Sequence, residues 1–295
     1  MKKSIWVLTA LLIVGILPVA CTGKGEGTQV REAVSQDLLN EVLAANKLIV
    51  ATDPIYPPQS FLNEQGKLDG FDVNVAQEVA GRLGVELEFV TSEWEQVIRG
   101  NWLGQWDLSI GSMAPTRARA EHLWFTNPYY YTAASFAVHK DNVIVRQPSD
   151  LAGKRIGVVT ASTYQAYLEG NLILIEGQVL YDPPPDIRVE LYPTDVDAFR
   201  DLAFGDGVRL DGIMTAETTI QAAIMRGVPL RQVGEAAFNE PLVFALDKSR
   251  GPSDKILARL NSIVAEMHAD GSLSDLSLKW YGTDLTEQMG EGVED

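Results

Sequence analysis

The sequence predicts an α/β fold with its strands and helices arranged in one or two lobes. Short apolar runs rich in β-branched residues, such as residues 48–52 and 155–159, alternate along the chain with amphipathic segments at helical spacing. This alternation is typical of mostly parallel sheets covered by helices. In such sheets small ligands bind where strands end and helices begin. At 295 residues, the chain can bury one large core or two smaller ones.

Composition and charge indicate a globular protein and narrow its partners. Hydrophobic residues make up 46% of the chain and charged residues 22%, which are ordinary proportions for a folded protein. The formal net charge of −16 argues against nucleic acid or anionic lipid as a partner, because both require clustered lysine and arginine. We interpret the acidity as a self-repelling surface. The sequence contains no zinc-ligand spacing, serine–histidine–aspartate constellation or phosphate-binding loop, so no metal or cofactor is predicted.

Residues 1–20 have the features of a secretory signal peptide. Two lysines precede an apolar run over residues 5–17, which is short for a transmembrane helix. Cys21 follows as the only cysteine, and the segment resembles a bacterial lipoprotein signal, although Pro18 stands where leucine is usual. Lipidation of Cys21 and a free thiol after plain secretion both stay open. Residues 21–45, which begin polar and rich in glycine, are predicted to be a flexible tether.

The first part of lobe 1 is predicted over residues 46–137. Its first strand leads into a rigid, proline-rich loop that carries Asp53 and Tyr56. Aspartate before proline also forms plain turns, so turn formation and ligand contact are both open for Asp53. A helix with an apolar stripe is predicted over residues 70–83, where a following glycine ends it.

The stretch DLSIGSMAPTRARAEHLWFTNPYYY, residues 107–131, is predicted to hold the acid group of a small molecule. It has the pattern of a buried strand that ends in small residues and leads into an arginine-rich helical turn. Backbone N–H groups near Ser112 and Thr116, at a helix N-terminus, would favour an anion. Arg119 can add a bidentate bond to a carboxylate. The alternative is an ordinary strand–helix connection whose arginines are solvated.

Lobe 2 is predicted over residues 138–240. A strand stops before Ser162 and Thr163, and Ser162 is a natural N-cap for the helix that follows. These hydroxyls could cap the helix only or also reach a ligand. Residues 170–187, with three consecutive prolines, are predicted to be an insertion or an extended loop.

The chain is predicted to return to lobe 1 over residues 241–283. A helix over residues 254–270 has its apolar side chains on one face, and Asp270-Gly271 ends it. Residues 284–295 are predicted to be an acidic tail.

Several segments resemble the bacterial extracellular solute-binding proteins of family 3, the periplasmic amino-acid-binding proteins of ABC importers. The resemblance covers about residues 46–283 and is broken only at 170–187. It implies a type II periplasmic-binding-protein fold, in which two α/β lobes are joined by a two-segment hinge with the ligand cleft between them. The segments that carry it are ATDPIYPPQSF (51–61), GFDVN (70–74), SMAPTRAR (112–119), NPYY (127–130) and KWYG (279–282).

The resemblance also implies a ligand shell, with two departures. Ala114 stands where the family usually has a serine or threonine, and Ala216 stands where it has the aspartate that binds the ligand's amino group. Either the neighbouring Glu217 takes over or the ligand lacks an α-ammonium group; Glu217 could also be a plain first-turn helix acid. Trp94 lies at a pocket position, with core packing as its alternative. The predicted ligand-binding residues are Asp53, Tyr56, Trp94, Ser112, Ala114, Thr116, Arg119, Ser162, Thr163 and Glu217.

The implied function is that of the extracytoplasmic solute-binding component of an ABC transporter. It would capture an amino acid or similar small carboxylate by hinge closure and deliver it to the permease. The predicted protein is a monomeric, non-enzymatic lipoprotein, anchored to the membrane through Cys21 in the periplasm or at the cell surface. The alternative is a cyclohexadienyl or arogenate dehydratase-like enzyme on the same fold, with Glu217 or Asp53 as its acid or base.

Overall fold

The structure, a computed structural model, describes residues 37–251 and 253–287. The predicted signal peptide, Cys21 and most of the predicted tether lie outside these residues, as does the end of the acidic tail. Among the described residues, none of the helices has the length and apolar character needed to cross a membrane.

Helices and strands alternate along the chain, as predicted. The helices of the described part are α1 (Leu38–Ala45), α2 (Phe71–Leu83), α3 (Trp94–Arg99), α4 (Thr163–Leu168), α5 (Asp195–Leu202), α6 (Glu217–Met225), α7 (Asp254–Ala269) and α8 (Ser272–Tyr281). Its strands are β1 (Lys47–Thr52), β2 (Ile55–Tyr56), β3 (Ser60–Leu62), β4 (Leu68–Asp69), β5 (Glu86–Thr91), β6 (Leu108–Met113), β7 (Leu123–Phe125), β8 (Tyr130–His139), β9 (Arg155–Val159), β10 (Gln178–Val179), β11 (Arg188–Tyr192), β12 (Gly212–Ala216) and β13 (Leu230–Asp247).

Ten of these strands form one hydrogen-bonded sheet. Its main path is β11-β9-β12-β8-β13-β6-β1-β5, and β7 and β10 add to β13. At one end β1 runs parallel to β5 and β6, and at the other β9 runs parallel to β11 and β12. Strands β2, β3 and β4 form a separate small sheet. We call the half with β1, β5 and β6 lobe 1 and the half with β9, β11 and β12 lobe 2.

Two long strands join the lobes. Strand β13 has 18 residues and pairs antiparallel with β8 from Leu230 to Leu242, then with β6 and β7 from Val243 onward. The predicted lobe boundaries at 137/138 and 240/241 fall within β8 and β13. The chain therefore crosses between the lobes in extended, paired conformation rather than through loops.

Each lobe has its own apolar core. In lobe 1, Val75 and Val79 of α2 and Leu260 of α7 are buried in one cluster against the sheet. These residues belong to the helical stripes predicted from the sequence. In lobe 2, the main cluster contains Ile156 of β9 and Met214 of β12.

The helix α1 shows that the tether prediction is wrong for residues 38–45. The Asp37 carboxylate caps this helix by accepting a hydrogen bond from the Leu39 N–H at 3.0 Å. Leu38 and Val42, which lie one helical turn apart, are buried in the lobe 1 core. The folded domain thus begins before the first strand.

Residues 170–187, which we call the strap, connect the two lobes. Its first half lies against lobe 1: the Ile175 N–H donates to the Pro115 carbonyl and the Arg117 N–H donates to the Ile173 carbonyl, both at 3.0 Å. Between these bonds Leu174 forms a β-bridge with Thr116 and packs against both main cores.

The second half of the strap is fixed to lobe 2. Strand β10 pairs with Phe238 and Asn239 of β13, and the Leu180 N–H donates to the Ala237 carbonyl at 2.8 Å. The Tyr181 hydroxyl donates to the Glu235 carbonyl at 3.0 Å. The strap therefore has a fixed end on lobe 2 and a two-bond contact with lobe 1.

Candidate ligand-binding cleft

A cleft lies between the lobes at the ends of their strands. Its empty volume, with the open mouth included, is ≈ 770 Å³, which is within the range of small-molecule sites. Lobe 1 contributes the segments after β1 and β6 and the start of α3. Lobe 2 contributes the segments after β9 and β11, and β13 contributes Glu240. The predicted residues that line the cleft are Asp53, Tyr56, Trp94, Ser112, Ala114, Arg119, Ser162 and Thr163.

Arg119 is buried in the cleft with its side chain held from both lobes. Its Nη1 donates to the Ala114 carbonyl of lobe 1 at 2.8 Å, and its Nη2 donates to the Ala161 carbonyl of lobe 2 at 3.2 Å. The guanidinium also lies over the Trp94 ring, 5.0 Å from its centroid. Burial lowers the pKa of Arg119 to about 10, so the group keeps its charge at neutral pH. The residue is only 7% exposed, which contradicts the alternative of a solvated arginine.

The Ala161 carbonyl of lobe 2 accepts hydrogen bonds from two side chains of lobe 1. Besides the bond from Arg119, it accepts one from the indole Nε1 of Trp94 at 3.2 Å. Ala161 and, on the opposite wall, Ser112 both adopt left-handed backbone conformations, with φ of 59° and 51°. Such conformations are costly for residues other than glycine and cluster at functional sites. Each wall therefore has one residue in a strained backbone conformation, Ala161 in the turn before α4 and Ser112 near the end of β6.

A buried polar network lies behind Ser112. The Ser112 hydroxyl donates to Asp72 at 2.7 Å and accepts from the Tyr130 hydroxyl at 2.6 Å, while the Tyr129 hydroxyl donates to Asp72 at 2.6 Å. Asp72 is 1% exposed, and burial raises its pKa to about 7. These bonds hold Ser112 at the end of β6 from the side away from the cleft.

Three carboxyl groups of the described residues line the cleft. Asp53 lies at the end of β1, Asp195 in the first turn of α5 and Glu240 in β13. Burial raises the pKa of Asp53, and it raises the pKa values of Asp195 and Glu240 to about 7. The Asp53 carboxylate also accepts a hydrogen bond from the Ile55 N–H at 2.7 Å. Asp53 therefore both stabilises the local turn and lines the cleft.

Two predicted ligand contacts lie elsewhere. The Thr116 hydroxyl accepts the Arg119 N–H at 3.2 Å and so supports the turn that carries the arginine, without lining the cleft. Glu217 lines a different groove and accepts a hydrogen bond from Gln232 at 2.9 Å. In this arrangement the structure contradicts direct ligand contact for both.

The predicted helix N-terminus for the anion is also absent from this part of the chain. Between β6 and β7, the only helical structure is the three-residue 3-10 turn Arg119–Glu121. The Ser112 N–H donates to the Tyr129 hydroxyl at 3.1 Å, and the Arg117 N–H donates to the strap. These N–H groups are engaged by the protein, so the positive charge at this wall is that of Arg119.

Sequence reasoning missed Asp195 and Glu240. Asp195 follows Thr194, which caps α5, and this repeats the strand–hydroxyl–helix pattern recognised at Ser162. Glu240 is a charged residue in an otherwise apolar strand segment and is 2% exposed. A charge in such a segment is a signal for a functional group, since charged side chains are rarely buried without a partner. Among the described residues, no group of three histidine, cysteine or acidic side chains could hold a metal ion.

Comparisons with known proteins agree with this architecture. The family model for bacterial extracellular solute-binding proteins, family 3, matches residues 48–283. The L-cystine-binding protein TcyJ of Escherichia coli K12 is 29% identical over 93% of this chain and 96% of its own. The probable amino-acid-binding protein YxeM of Bacillus subtilis 168 is 30% identical over 81% of this chain and 85% of its own.

A solved structure extends the likeness to the fold. The crystal structure of the ancestral amino-acid-binding protein AncCDT-1, described as a precursor of cyclohexadienyl dehydratase, has a TM-score of 0.71 and 26% identity. The match covers 82% of this chain and 99% of that one.

Proposed function

Because the chain belongs to the bacterial extracellular solute-binding proteins of family 3, we propose that it binds an amino acid or similar small carboxylate for an ABC importer. It is a solute-binding protein of the type II periplasmic-binding-protein fold. The observation that carries the proposed ligand class is the buried, charged guanidinium of Arg119 inside the cleft. Relatives named as cystine-binding and amino-acid-binding proteins support it.

Arg119 has the geometry to bind the ligand carboxylate. A guanidinium has five N–H donors, and two of its nitrogens already donate to backbone carbonyls. The donors that remain can form a charge-assisted, bidentate bond. Trp94 and Tyr56 would flank the ligand side chain, and Ser112, Ser162 and Thr163 would offer hydroxyls.

Ligand binding would stabilise a closed arrangement of the lobes. Three lobe 1 side chains already donate to lobe 2: Arg119 and Trp94 to the Ala161 carbonyl, and Gln59 to the Thr218 hydroxyl at 2.9 Å. A ligand held by both walls binds this state better than an open one and shifts the equilibrium by that difference. The closed form would deliver the solute to the permease.

The proposal extends to the export of the protein and its anchoring at the membrane. The protein would be exported by its signal peptide and act outside the cytoplasm as a monomer. The resemblance of its leader to a lipoprotein signal supports a lipid anchor at Cys21. Mass spectrometry of the mature protein would distinguish an acylated Cys21 from a free thiol.

The test of the ligand assignment is Arg119→Ala, measured by isothermal titration calorimetry against a panel of amino acids. Removing one partner of a buried charge pair costs about 2–5 kcal/mol, so we expect binding to fall by at least about 30-fold while the protein stays folded. Arg117→Ala is the matched control, because Arg117 lies two residues away with an exposed side chain. Equal affinities for Arg119→Ala and the parent would refute the assignment.

A dehydratase-like enzyme is the second candidate. Glu240, whose pKa burial raises to about 7, lies in the cleft with Arg119 and has the properties of a general acid. AncCDT-1, described as a precursor of such an enzyme, is a structural relative. We propose that the protein binds its ligand without chemical turnover. Incubation with prephenate and arogenate, followed by product analysis, tests this. Multiple turnovers per protein molecule would favour the dehydratase-like enzyme.

A further inference from the structure

The charges that face the cleft are unbalanced. Among the described residues that line it, Arg119 is the one cationic side chain, and it is opposed by the three carboxyl groups of Asp53, Asp195 and Glu240. With all four groups ionised the lining has a net charge of about −2, which a low-dielectric site does not tolerate without compensation. A bound cation would supply that compensation.

Glu240 is placed to receive a cationic group next to a bound carboxylate. One of its oxygens, Oε1, accepts a hydrogen bond from the Tyr164 hydroxyl at 3.1 Å. The other, Oε2, is buried and makes no hydrogen bond of ordinary geometry among the described residues, although the Thr163 hydroxyl lies close enough to Glu240 to lower its pKa against the larger, raising effect of burial. Glu240 and Arg119 influence each other's pKa electrostatically. In an α-amino acid the ammonium and carboxylate groups share one carbon, so a grip on both needs an acid near the arginine.

No other acid is available for that role at the end of β12. Ala216, the last residue of this strand, is fully buried and has no polar side chain, and Glu217 after it is bonded to Gln232 outside the cleft. The Oε2 atom of Glu240 is therefore the acceptor for an α-ammonium group.

Asp53 and Asp195 form a second acidic pair that spans the two lobes. Asp53 belongs to lobe 1, and Asp195, only 6% exposed, belongs to lobe 2. The charge of Asp53 raises the pKa of Asp195, in addition to the larger effect of burial. Two like charges on opposite walls oppose closure, and a cation between them would convert that repulsion into attraction.

We propose that the cleft selects amino acids that carry a second cationic group, with Glu240 binding the α-ammonium and Asp53 and Asp195 binding the distal cation. This inference rests on the proposed function, because it assumes that Arg119 holds the carboxylate. Ligands of this class, such as lysine and arginine, bring one negative and two positive charges and so reduce the net charge of the occupied cleft from about −2 to about −1.

The test compares L-lysine with L-norleucine by isothermal titration calorimetry, because these two differ only in the distal ammonium group. We expect lysine to bind at least about 100-fold more tightly, as charge-assisted hydrogen bonds in a desolvated site allow. Equal binding of the two would overturn the proposal and leave the proposed function standing. If no amino acid of the wider panel binds, the proposed function fails with it.

Two variants separate the binding of the distal cation by Asp195 from the binding of the α-ammonium by Glu240. Asp195→Asn should reduce the preference for lysine over norleucine by about 10-fold or more. Glu240→Gln should weaken both ligands by a similar factor, because both carry the α-ammonium. Asp197→Asn is the control: Asp197 lies on the same helix, pairs with Arg200 at 2.8 Å and does not line the cleft. Circular dichroism confirms folding, and an unchanged preference in folded Asp195→Asn would overturn the assignment.

Discussion

The strap should slow ligand release, because lobe opening must break its contact with lobe 1. The relevant bond is that from the Ile175 N–H to the Pro115 carbonyl, 3.0 Å long. Ile175→Pro removes this donor and only this donor. A proline also restricts the preceding residue to extended conformations, which Leu174 already adopts in its β-bridge. The Ile175 side chain is 51% exposed, so little packing is lost.

The expected effect is the net value of one hydrogen bond. A backbone hydrogen bond contributes about 1 kcal/mol, which corresponds to roughly a 5-fold change in the closed-to-open ratio. The paired bond from Arg117 to Ile173 has the same length, and its loss with the first would raise the change to about 2 kcal/mol, or roughly 30-fold. We therefore expect Ile175→Pro to release ligand between about 5 and 30 times faster than the parent protein.

Stopped-flow fluorescence can follow release, because Trp94 lines the cleft. Ile175→Ala is the matched control, since it truncates the same side chain and keeps the N–H group. The reasoning predicts a fast proline variant and an alanine variant close to the parent. Identical release rates for all three proteins would show that the strap does not hold the lobes together.

Three further predictions concern stability. Burial raises the pKa of Asp72 from 3.8 to about 7, so its stabilising contribution is complete below pH 4 and is lost as the pH rises through 7. Between pH 4 and 8, the free energy of unfolding of the parent, measured with denaturant, should fall by up to about 4 kcal/mol relative to that of Asp72→Asn. A difference that stays constant with pH would contradict this. Gly70→Ala should destabilise the protein by roughly 3 kcal/mol or more, because a Cβ would lie 2.4 Å from the Gln59 carbonyl oxygen. The control is Gly81→Ala in α2, where a Cβ meets open space; this variant should stabilise the protein by about 0.5–1 kcal/mol in the same assay. Ala161→Gly should raise the melting temperature, because the left-handed φ of 59° costs alanine about 1 kcal/mol that glycine does not pay. A lower melting temperature in calorimetry would argue against strain at this turn.

Local pattern was enough to predict the lobe architecture. The apolar stripe of α2 and the strand before Ser162 are encoded by neighbouring residues, and both are present. The position of Arg119 after a buried strand that ends in small residues left burial and solvation both open, and the family resemblance favoured a place in the cleft. These features depend on spacing within one segment, which a single sequence displays.

Long-range contacts could not be predicted in this way. The strap depends on backbone bonds to Pro115 and Arg117, and backbone groups leave no compositional signal. Glu217 was a candidate only because it neighbours Ala216 in sequence, and in the structure it lines another groove as a first-turn acid of α6. Glu240 was overlooked because nothing local shows that β13 passes the cleft.

The path of the chain through the sheet has a consequence for the order of biosynthesis. In lobe 1, β6 lies between β1 and the far half of β13, and the core also requires α7, which follows β13 in sequence. The lobe 2 strands β9, β11 and β12 precede β13 in sequence. Lobe 2 receives its last strand when residues 230–239 of β13 arrive, because Val233 and Phe238 belong to its core. Lobe 1 begins first, but β6 keeps an unpaired edge until Val243 and the residues after it arrive, and the lobe 1 core is complete only after α7. The first lobe to be synthesised is therefore the last to complete its core.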